Sequence, residues 1–259
     1  VDRGLLIVKI GGSTLGADDS TLADLVALQH EGRPVVVVHG GGPAVTRWMD
    51  RQGLTATFVR GLRVTDAASL EIVVAVLAGL VNKQLVAEIN ARGGRAAGIC
   101  GADGPTVLAE VTDPEYGHVG QVREIRTDLL RALLDGGMIP FLSSVGLDLA
   151  AERPDAALLN INADTVAGEV AVALGAARLV FLTDVPGVKG GAGTFVPALS
   201  SAQCEALIAS GAIGGGMIPK VEACLRAAEA GAVALIVDGR QPGALLAALR
   251  GTAEGTRIG

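Results

Sequence analysis

Aromatic side chains are almost missing from this 259-residue chain, which has one Trp, one Tyr and four Phe. So few rings give bases nothing to stack on. A net charge of −6, from 21 Lys+Arg against 27 Asp+Glu with no basic cluster, gives no electrostatic footprint for a polyanion. No nucleic-acid partner is expected. The three cysteines, Cys100, Cys204 and Cys224, lie far apart and fit no C-x-x-C spacing. They exclude a disulfide framework and read as small buried apolar residues. Three histidines at unrelated positions, without a Cys/His cluster, leave no zinc site. No run reaches the roughly 18 uninterrupted apolar residues of a membrane helix. The chain opens Val1-Asp2-Arg3 ahead of an apolar run, without the features of a secretory leader. A cytoplasmic protein with no membrane partner is the expectation.

Common catalytic signatures are absent too. There is no G-x-x-x-x-G-K-[ST], no G-x-G-x-x-G after the first strand, no H-R-D set of protein kinases and no Ser-His-Asp set. P-loop enzymes, ordinary dinucleotide enzymes and protein kinases drop out.

What is present is glycine, 37 residues or about 14%, roughly twice the usual share. Hydrophobic residues make up 50%, enough to exclude disorder and fill one large core or two closely packed lobes. Short continuous apolar runs at 5–10, 34–39, 95–100, 138–143, 178–183 and 233–238 read as strands. Helical periodicity lies between them at 20–31, 42–52, 66–92 (with a possible break at Val81-Asn82), 126–135, 162–174, 200–209 and 217–230. Continuous strands flanked by helices predict a mostly parallel sheet covered on both faces, a three-layer αβα sandwich whose ligand sits beyond the carboxyl ends of the strands. Residues 56–64 and 106–124 depart from that rhythm and read as hairpins or small antiparallel additions. The glycine-dense loop 187–194 is expected to move.

The strand ends carry the chemistry. Val8-Lys9-Ile10-Gly11-Gly12-Ser13 and Val38-His39-Gly40-Gly41-Gly42 are strand-to-helix turns in which backbone N–H groups can approach an anion. Lys9, inside an apolar strand, needs a counter-charge. Asn160-Ile161-Asn162-Ala163-Asp164 precedes an apolar helix, where helix capping alone is the competing explanation. Gly214-Gly215-Gly216-Met217-Ile218-Pro219-Lys220 places a cation in the first turns of a helix, where an unpaired cation opposes the dipole and a bound anion would account for it.

Taken together, these segments resemble the amino acid kinase family, most closely its acetylglutamate-phosphorylating branch. The matching motifs run in family order over essentially the whole chain: Lys9-Ile-Gly-Gly12, His39-Gly-Gly-Gly42, Gly61-Leu-Arg-Val-Thr-Asp66, Gly79 with Asn82-Lys83, Gly117-His-Val-Gly120, Asn160-Ile-Asn-Ala-Asp164, Asp184-Val-Pro-Gly187, Gly216-Met-Ile-Pro-Lys220 and Gly255-Thr-Arg-Ile258. The resemblance implies a carbamate kinase-like fold, with an N-lobe (1–175) for the acyl amino acid and dimerisation and a C-lobe (176–259) for ATP. It also implies transfer of the γ-phosphoryl of ATP to the side-chain carboxylate of N-acetyl-L-glutamate, in arginine biosynthesis. Lys9 and Lys220 would flank the phosphoryl group, Asp164 would orient them, and Gly11 and Gly12 would donate N–H groups. Gly41, Gly42, Arg63 and Asn160 would bind the acceptor. Thr183, Asp184, Gly187, Gly214, Gly215, Gly216 and Met217 would line the nucleotide site. Mg2+ would be held mainly by phosphates, so no protein metal ligand is assigned. Family members inhibited by arginine carry an extra N-terminal helix. The first strand begins near Leu5, so an arginine-insensitive homodimer is expected.

Two other functions compete. A kinase of the same fold acting on a carrier-linked aminoadipate or glutamate would need a basic groove for its carrier. A catalytically silent module that senses arginine or an acylated amino acid would have no need of both lysines and Asp164.

Overall fold

The computed structural model describes residues 4–11, 20–59, 62–151, 157–190 and 193–259. The strands are β1 (Leu6–Ile10), β2 (Val35–His39), β3 (Phe58–Val59), β4 (Leu62–Arg63), β5 (Ala96–Cys100), β6 (Val107–Val111), β7 (Val119–Ile125), β8 (Ile139–Ser143), β9 (Val145–Asp148), β10 (Leu158–Ile161), β11 (Arg178–Thr183), β12 (Ala198–Leu199), β13 (Val233–Asp238) and β14 (Gly255–Ile258). The α-helices are α1 (Ser20–His30), α2 (Gly42–Arg51), α3 (Ala67–Val74), α4 (Asn82–Ala91), α5 (Asp128–Asp135), α6 (Ala163–Leu174), α7 (Ser201–Ala209), α8 (Met217–Glu229) and α9 (Ala244–Arg250).

Every continuous apolar run becomes a strand of one eight-stranded sheet, ordered β12-β14-β13-β11-β1-β2-β8-β5. From β13 to β5 all neighbours are parallel, and β14 pairs antiparallel with β13. The strand periodicity of two sends alternate side chains to two cores. Leu6, Val8 and Ile10 pack with α1, the α3–α4 segment and α9, whereas Ile7 packs with α6 and α8. Both faces are therefore covered, as the runs required. The sheet spans the boundary drawn between 175 and 176, since β11 pairs with β1 along its length.

Three helix starts carry side-chain caps. Asn162 accepts from the Asp164 N–H ahead of α6, Asp66 from the Ser69 N–H ahead of α3, and Ser200 forms a capping box with Gln203 ahead of α7. The anticipated break near Val81-Asn82 takes a specific form. The chain stays helical from Ala67 to Ala91, but Ala75–Val81 widens into a π-helix that ends where α4 begins. This run reaches a mean hydropathy of 1.8, enough by length and composition alone for a membrane span. Its Leu70, Val73, Leu77, Val81, Leu85 and Ile89 are nevertheless buried inside the protein, so the apolar stripe is a core face.

The segment 106–124 needs a correction. Its strands β6 and β7 do pair antiparallel, but they close with β9 and β10 into a four-stranded barrel. Four-residue strands such as β9 and β10 are too short to show periodicity, and polar Asn160 interrupts the second. The short elements β12, β14 and α9 escaped notice for the same reason. The hairpin expected near 56–64 is β3–β4, and Arg60 and Gly61 lie outside the described residues. Gly191 and Ala192 of the glycine-dense loop also lie outside them.

Candidate active site

The pleat of β1 decides where Lys9 points. It lies two residues from Ile7, so it faces the layer of α6 and α8. Asp164 stands in the first turn of α6, where a carboxylate also suits the helix dipole. Lys9 Nζ lies 2.6 Å from Asp164 Oδ1, and Lys220 Nζ of α8 lies 2.9 Å from Oδ2. Lys220 also donates to the Gly216 carbonyl at 3.0 Å. The local reading of Lys220 as an unpaired cation is thereby corrected: the carboxylate that the resemblance puts between the two lysines, 56 residues away in sequence, meets it across the helix pair.

That meeting depends on Gly168, one turn after Asp164. A Cβ there would come within 2.8 Å of Ala223 Cβ on α8, so two small residues let the helices approach closely enough for one carboxylate to span both lysines. Burial works to raise the Asp164 carboxyl, but Lys9 and Lys220 outweigh it and hold the group below the ordinary carboxylate value. The carboxylate is ionised and the two ammonium groups are kept together against their repulsion.

Beyond this triad opens a cavity of about 260 Å³, reaching from Lys9 and Asp164 past Gly41 and Gly42 to Arg63 and Asn160. The turn 40–42 leads from β2 into α2, whose first N–H groups have no partner within the helix. Gly41 is needed there because a Cβ would meet Leu77 Cδ2 at 2.6 Å, whereas a Cβ at Gly42 meets nothing within 4 Å. Arg63 is buried against α2. It donates to Thr46 Oγ1 (2.8 Å) and the Gly42 carbonyl (3.1 Å), and the Phe58 ring lies 4.7 Å from its guanidinium carbon. Burial lowers the Arg63 pKa from its ordinary value, opposed by Asp50, and the group stays protonated. Asn160 donates to Thr65 Oγ1 (3.0 Å), which donates to the Arg63 carbonyl (2.9 Å). The described cavity lining with Lys220 adjoining thus carries three cations against one carboxylate. This local excess answers how an acidic protein would hold an anion.

Not every predicted residue is placed as expected. The Gly11 N–H, assigned to phosphate, donates to the Leu182 carbonyl at 3.3 Å and extends the β1–β11 ladder. Gly12 lies outside the described residues. Thr183, Asp184, Gly187, Gly214, Gly215, Gly216 and Met217 do not line the cavity. Thr183 ends β11, beside β1, with Asp184 and Gly187 after it, and Gly214, Gly215 and Gly216 lead into α8, which Met217 opens. The Thr183 hydroxyl is already engaged with Val185 and Val237. Gly187 packs against Thr256, where a Cβ would come within 2.6 Å of its Oγ1. Gly215 does need glycine, at φ +54°. Among the described residues no three His, Cys, Asp or Glu gather as a metal site. The carboxylate lining the cavity, Asp164, already faces two ammonium groups. These residues do not fit a protein-ligated Mg2+, and no step is derived through one.

The family model for the amino acid kinase family matches residues 4–238. The chain belongs to that family. It is 44% identical over 256 residues to the acetylglutamate kinase of Dehalococcoides mccartyi (strain BAV1), covering 98% of this chain and 94% of that one. Among solved structures, smu.665 from Streptococcus mutans UA159 superimposes with a TM-score of 0.84 at 31% identity, covering 98% of both chains. N-acetylglutamate synthase from Neisseria gonorrhoeae, in complex with coenzyme A and N-acetyl-glutamate, gives 0.84 at 26% identity. That match covers 99% of this chain and 59% of the synthase.

Within this amino acid kinase chain, several site-building residues were not visible from sequence. Thr46, which braces Arg63, carries no signal of its own, and Thr65, which braces Asn160, lies inside the motif 61–66 without an assigned role. Gly168 is an isolated helical glycine, a pattern that points to close helix packing and was available to be read. Arg240 forms a two-bond pair with Asp238 just beyond the end of β13, near Asp184.

Proposed function

We propose that this amino acid kinase transfers the γ-phosphoryl group of ATP to the side-chain carboxylate of N-acetyl-L-glutamate, the second step of arginine biosynthesis. The observation that carries the proposal is one buried carboxylate, Asp164, shared by Lys9 and Lys220 at one end of a cavity whose other end offers Arg63 and Asn160. The 44% identity to an acetylglutamate kinase over nearly the full chain supports this choice of acceptor.

An acceptor carboxylate oxygen attacks the γ-phosphorus, its P–O bond forms as the bond to the ADP oxygen breaks, and the products are an acyl phosphate and ADP. A carboxylate is already ionised near pH 7, so no general base is required. That suits a site in which His39 is buried behind the turn 40–42. The transition state spreads negative charge over the equatorial oxygens, where the ammonium groups of Lys9 and Lys220 would stabilise it without reorganising. Arg63 presents a planar fork for the acceptor's α-carboxylate, and Asn160 a second polar anchor. In this proposal the nucleotide lies over the ends of β11 and β13 and the start of α8, bringing Mg2+ on its phosphates. The lobe division and a cytoplasmic homodimer belong to the same proposal. The outward apolar face of Ala75, Gly79 and Leu80 supports the dimer, and its solution mass tests it.

A coupled assay of ADP release across N-acetylglutamate, N-acetylaspartate, glutamate and aspartate tests the acceptor. Turnover with N-acetylglutamate well above the other three is expected. Background rates with it at millimolar concentration would overturn the proposal.

A further inference from the structure

The reaction as derived makes no use of a buried polar network directly behind the glycine turn. His39 closes β2 and is wholly buried. Its Nδ1 lies 3.0 Å from the Gly40 carbonyl oxygen, and its Nε2 lies 3.0 Å from Asn82 Nδ2. A carbonyl only accepts, so Nδ1 carries the hydrogen; Nε2 then accepts from the Asn82 amide, and the ring is neutral. Asn82, also fully buried, uses its second amide hydrogen on the Phe141 carbonyl at 2.8 Å and receives Lys83 Nζ on Oδ1 at 3.0 Å. Lys83 donates in turn to the Gly98 carbonyl at 2.8 Å. Gly98 is glycine for this reason, since a Cβ there would collide with Asn82 Oδ1.

The π-helix connects this network to the site. Asn82 is the first residue after Ala75–Val81, and Leu77 and Val81 of that same segment form the wall that admits only glycine at position 41. One segment therefore holds the turn by packing on Gly41 and, through His39, by a hydrogen bond on Gly40. In a trans peptide the carbonyl and the following N–H point in opposite directions. Fixing the Gly40 carbonyl on His39 thus turns the Gly41 N–H away from the ring. A flip of that peptide would instead present a carbonyl oxygen where an anion is to bind.

We propose that Asn82 is a positioning residue for the Gly40–Gly41 peptide: it holds His39 as the neutral Nδ1–H tautomer, and that N–H anchors the Gly40 carbonyl. The proposal rests on the reading that the cavity takes an anionic acceptor. Burial, together with the Lys9 and Lys83 charges, lowers the His39 pKa to about 4 against the raising effect of the Gly40 bond, so the tautomer holds through neutral pH.

The test pairs spectroscopy with kinetics. In ¹⁵N-histidine-labelled wild-type protein, long-range ¹H–¹⁵N spectra should show His39 as the pure Nδ1–H tautomer from pH 5.5 to 8. Asn82→Leu should lose that signature and raise KM for N-acetylglutamate about tenfold, the effect of one lost hydrogen-bonded anchor, with KM for ATP changed less than about twofold. Gly98→Ala, whose new methyl displaces the Asn82 amide, should shift the tautomer in the same direction. An Nε2–H tautomer or an imidazolium in the wild type at pH 7 overturns the proposal, whether or not either variant folds. So does a folded Asn82→Leu protein whose KM for the acceptor is unchanged. Wild-type inactivity toward every carboxylate refutes the functional reading instead, and is separable because the tautomer is read without turnover.

Discussion

At the Lys9 end of the cavity, charge is fixed by three elements that meet only in the folded chain: β1, α6 and α8 supply a carboxylate and two ammonium groups in direct contact. The Arg63 end is built more locally. A short hairpin places Arg63 against α2, and its partners are a threonine hydroxyl, a carbonyl and an aromatic ring rather than a counter-ion. The first end is closed on itself and rigid in charge. The second leaves a guanidinium without a carboxylate in direct contact among the described residues, as an acceptor-binding residue should be. Under the proposed function, this difference puts the chemical step at one end and acceptor affinity at the other.

The largest effect expected from breaking this division is that of Asp164→Asn. It leaves a buried Lys9 without its counter-charge, with a loss of about 3–5 kcal/mol in denaturant unfolding and a fall in kcat of ~10³-fold. Retention of kcat within tenfold would dissolve the proposed role of the triad. Next comes Lys220→Ala, for which steady-state kinetics should give a kcat lowered ~10²-fold, from losing one charge stabiliser, with KM for the acceptor little changed. Arg63→Ala should show the opposite split. KM for N-acetylglutamate should rise about 10–100-fold, matching the loss of hydrogen bonds to a charged group, while kcat falls less. Parallel losses in both parameters from these two variants would mean the ends are not separate.

A subtler variant sharpens the comparison. Gly168→Val forces α6 and α8 apart, so it should cost about 1–3 kcal/mol of stability by thermal melt and lower kcat several-fold, leaving acceptor KM alone. The smallest effect is in pH. The folded Asp164 carboxyl lies below its unfolded value of ~3.9, so its stabilisation is complete above that value and is lost as pH falls through the folded pKa. The stability gap between wild type and Asp164→Asn should be flat from pH 5 to 8 and shrink below pH 4. A gap that changes around neutrality would place another titrating group in the triad.

How much of this was legible in the sequence follows from physical scale. Strands such as 178–183 and 233–238 were read to the residue because strands buried on both faces are continuous apolar runs. The barrel was only half legible, because β9 and β10 are four residues long and carry Asp148 and Asn160. Lys9 announced its need for a counter-charge, but the partner is 155 positions away, and only the known motif order pointed to Asp164. Lys220 read as unpaired because local sequence contains no sign of a carboxylate delivered by another helix. The Gly11 N–H was assigned to a ligand because a turn and a ladder extension look alike in sequence. Gly98 and Gly168 carry no motif that singles them out. One makes room for a hydrogen-bonded amide and the other sets the distance between α6 and α8.

The most direct measurement of the central claim is to trap the product. Incubation of the protein with ATP, N-acetylglutamate and hydroxylamine should yield the hydroxamate of N-acetylglutamate in step with ADP, at a rate cut ~10²-fold in Lys220→Ala and restored by excess acceptor in Arg63→Ala. ADP release without hydroxamate, or hydroxamate formation indifferent to Lys220, would contradict acyl phosphate formation at the Lys9–Asp164–Lys220 site.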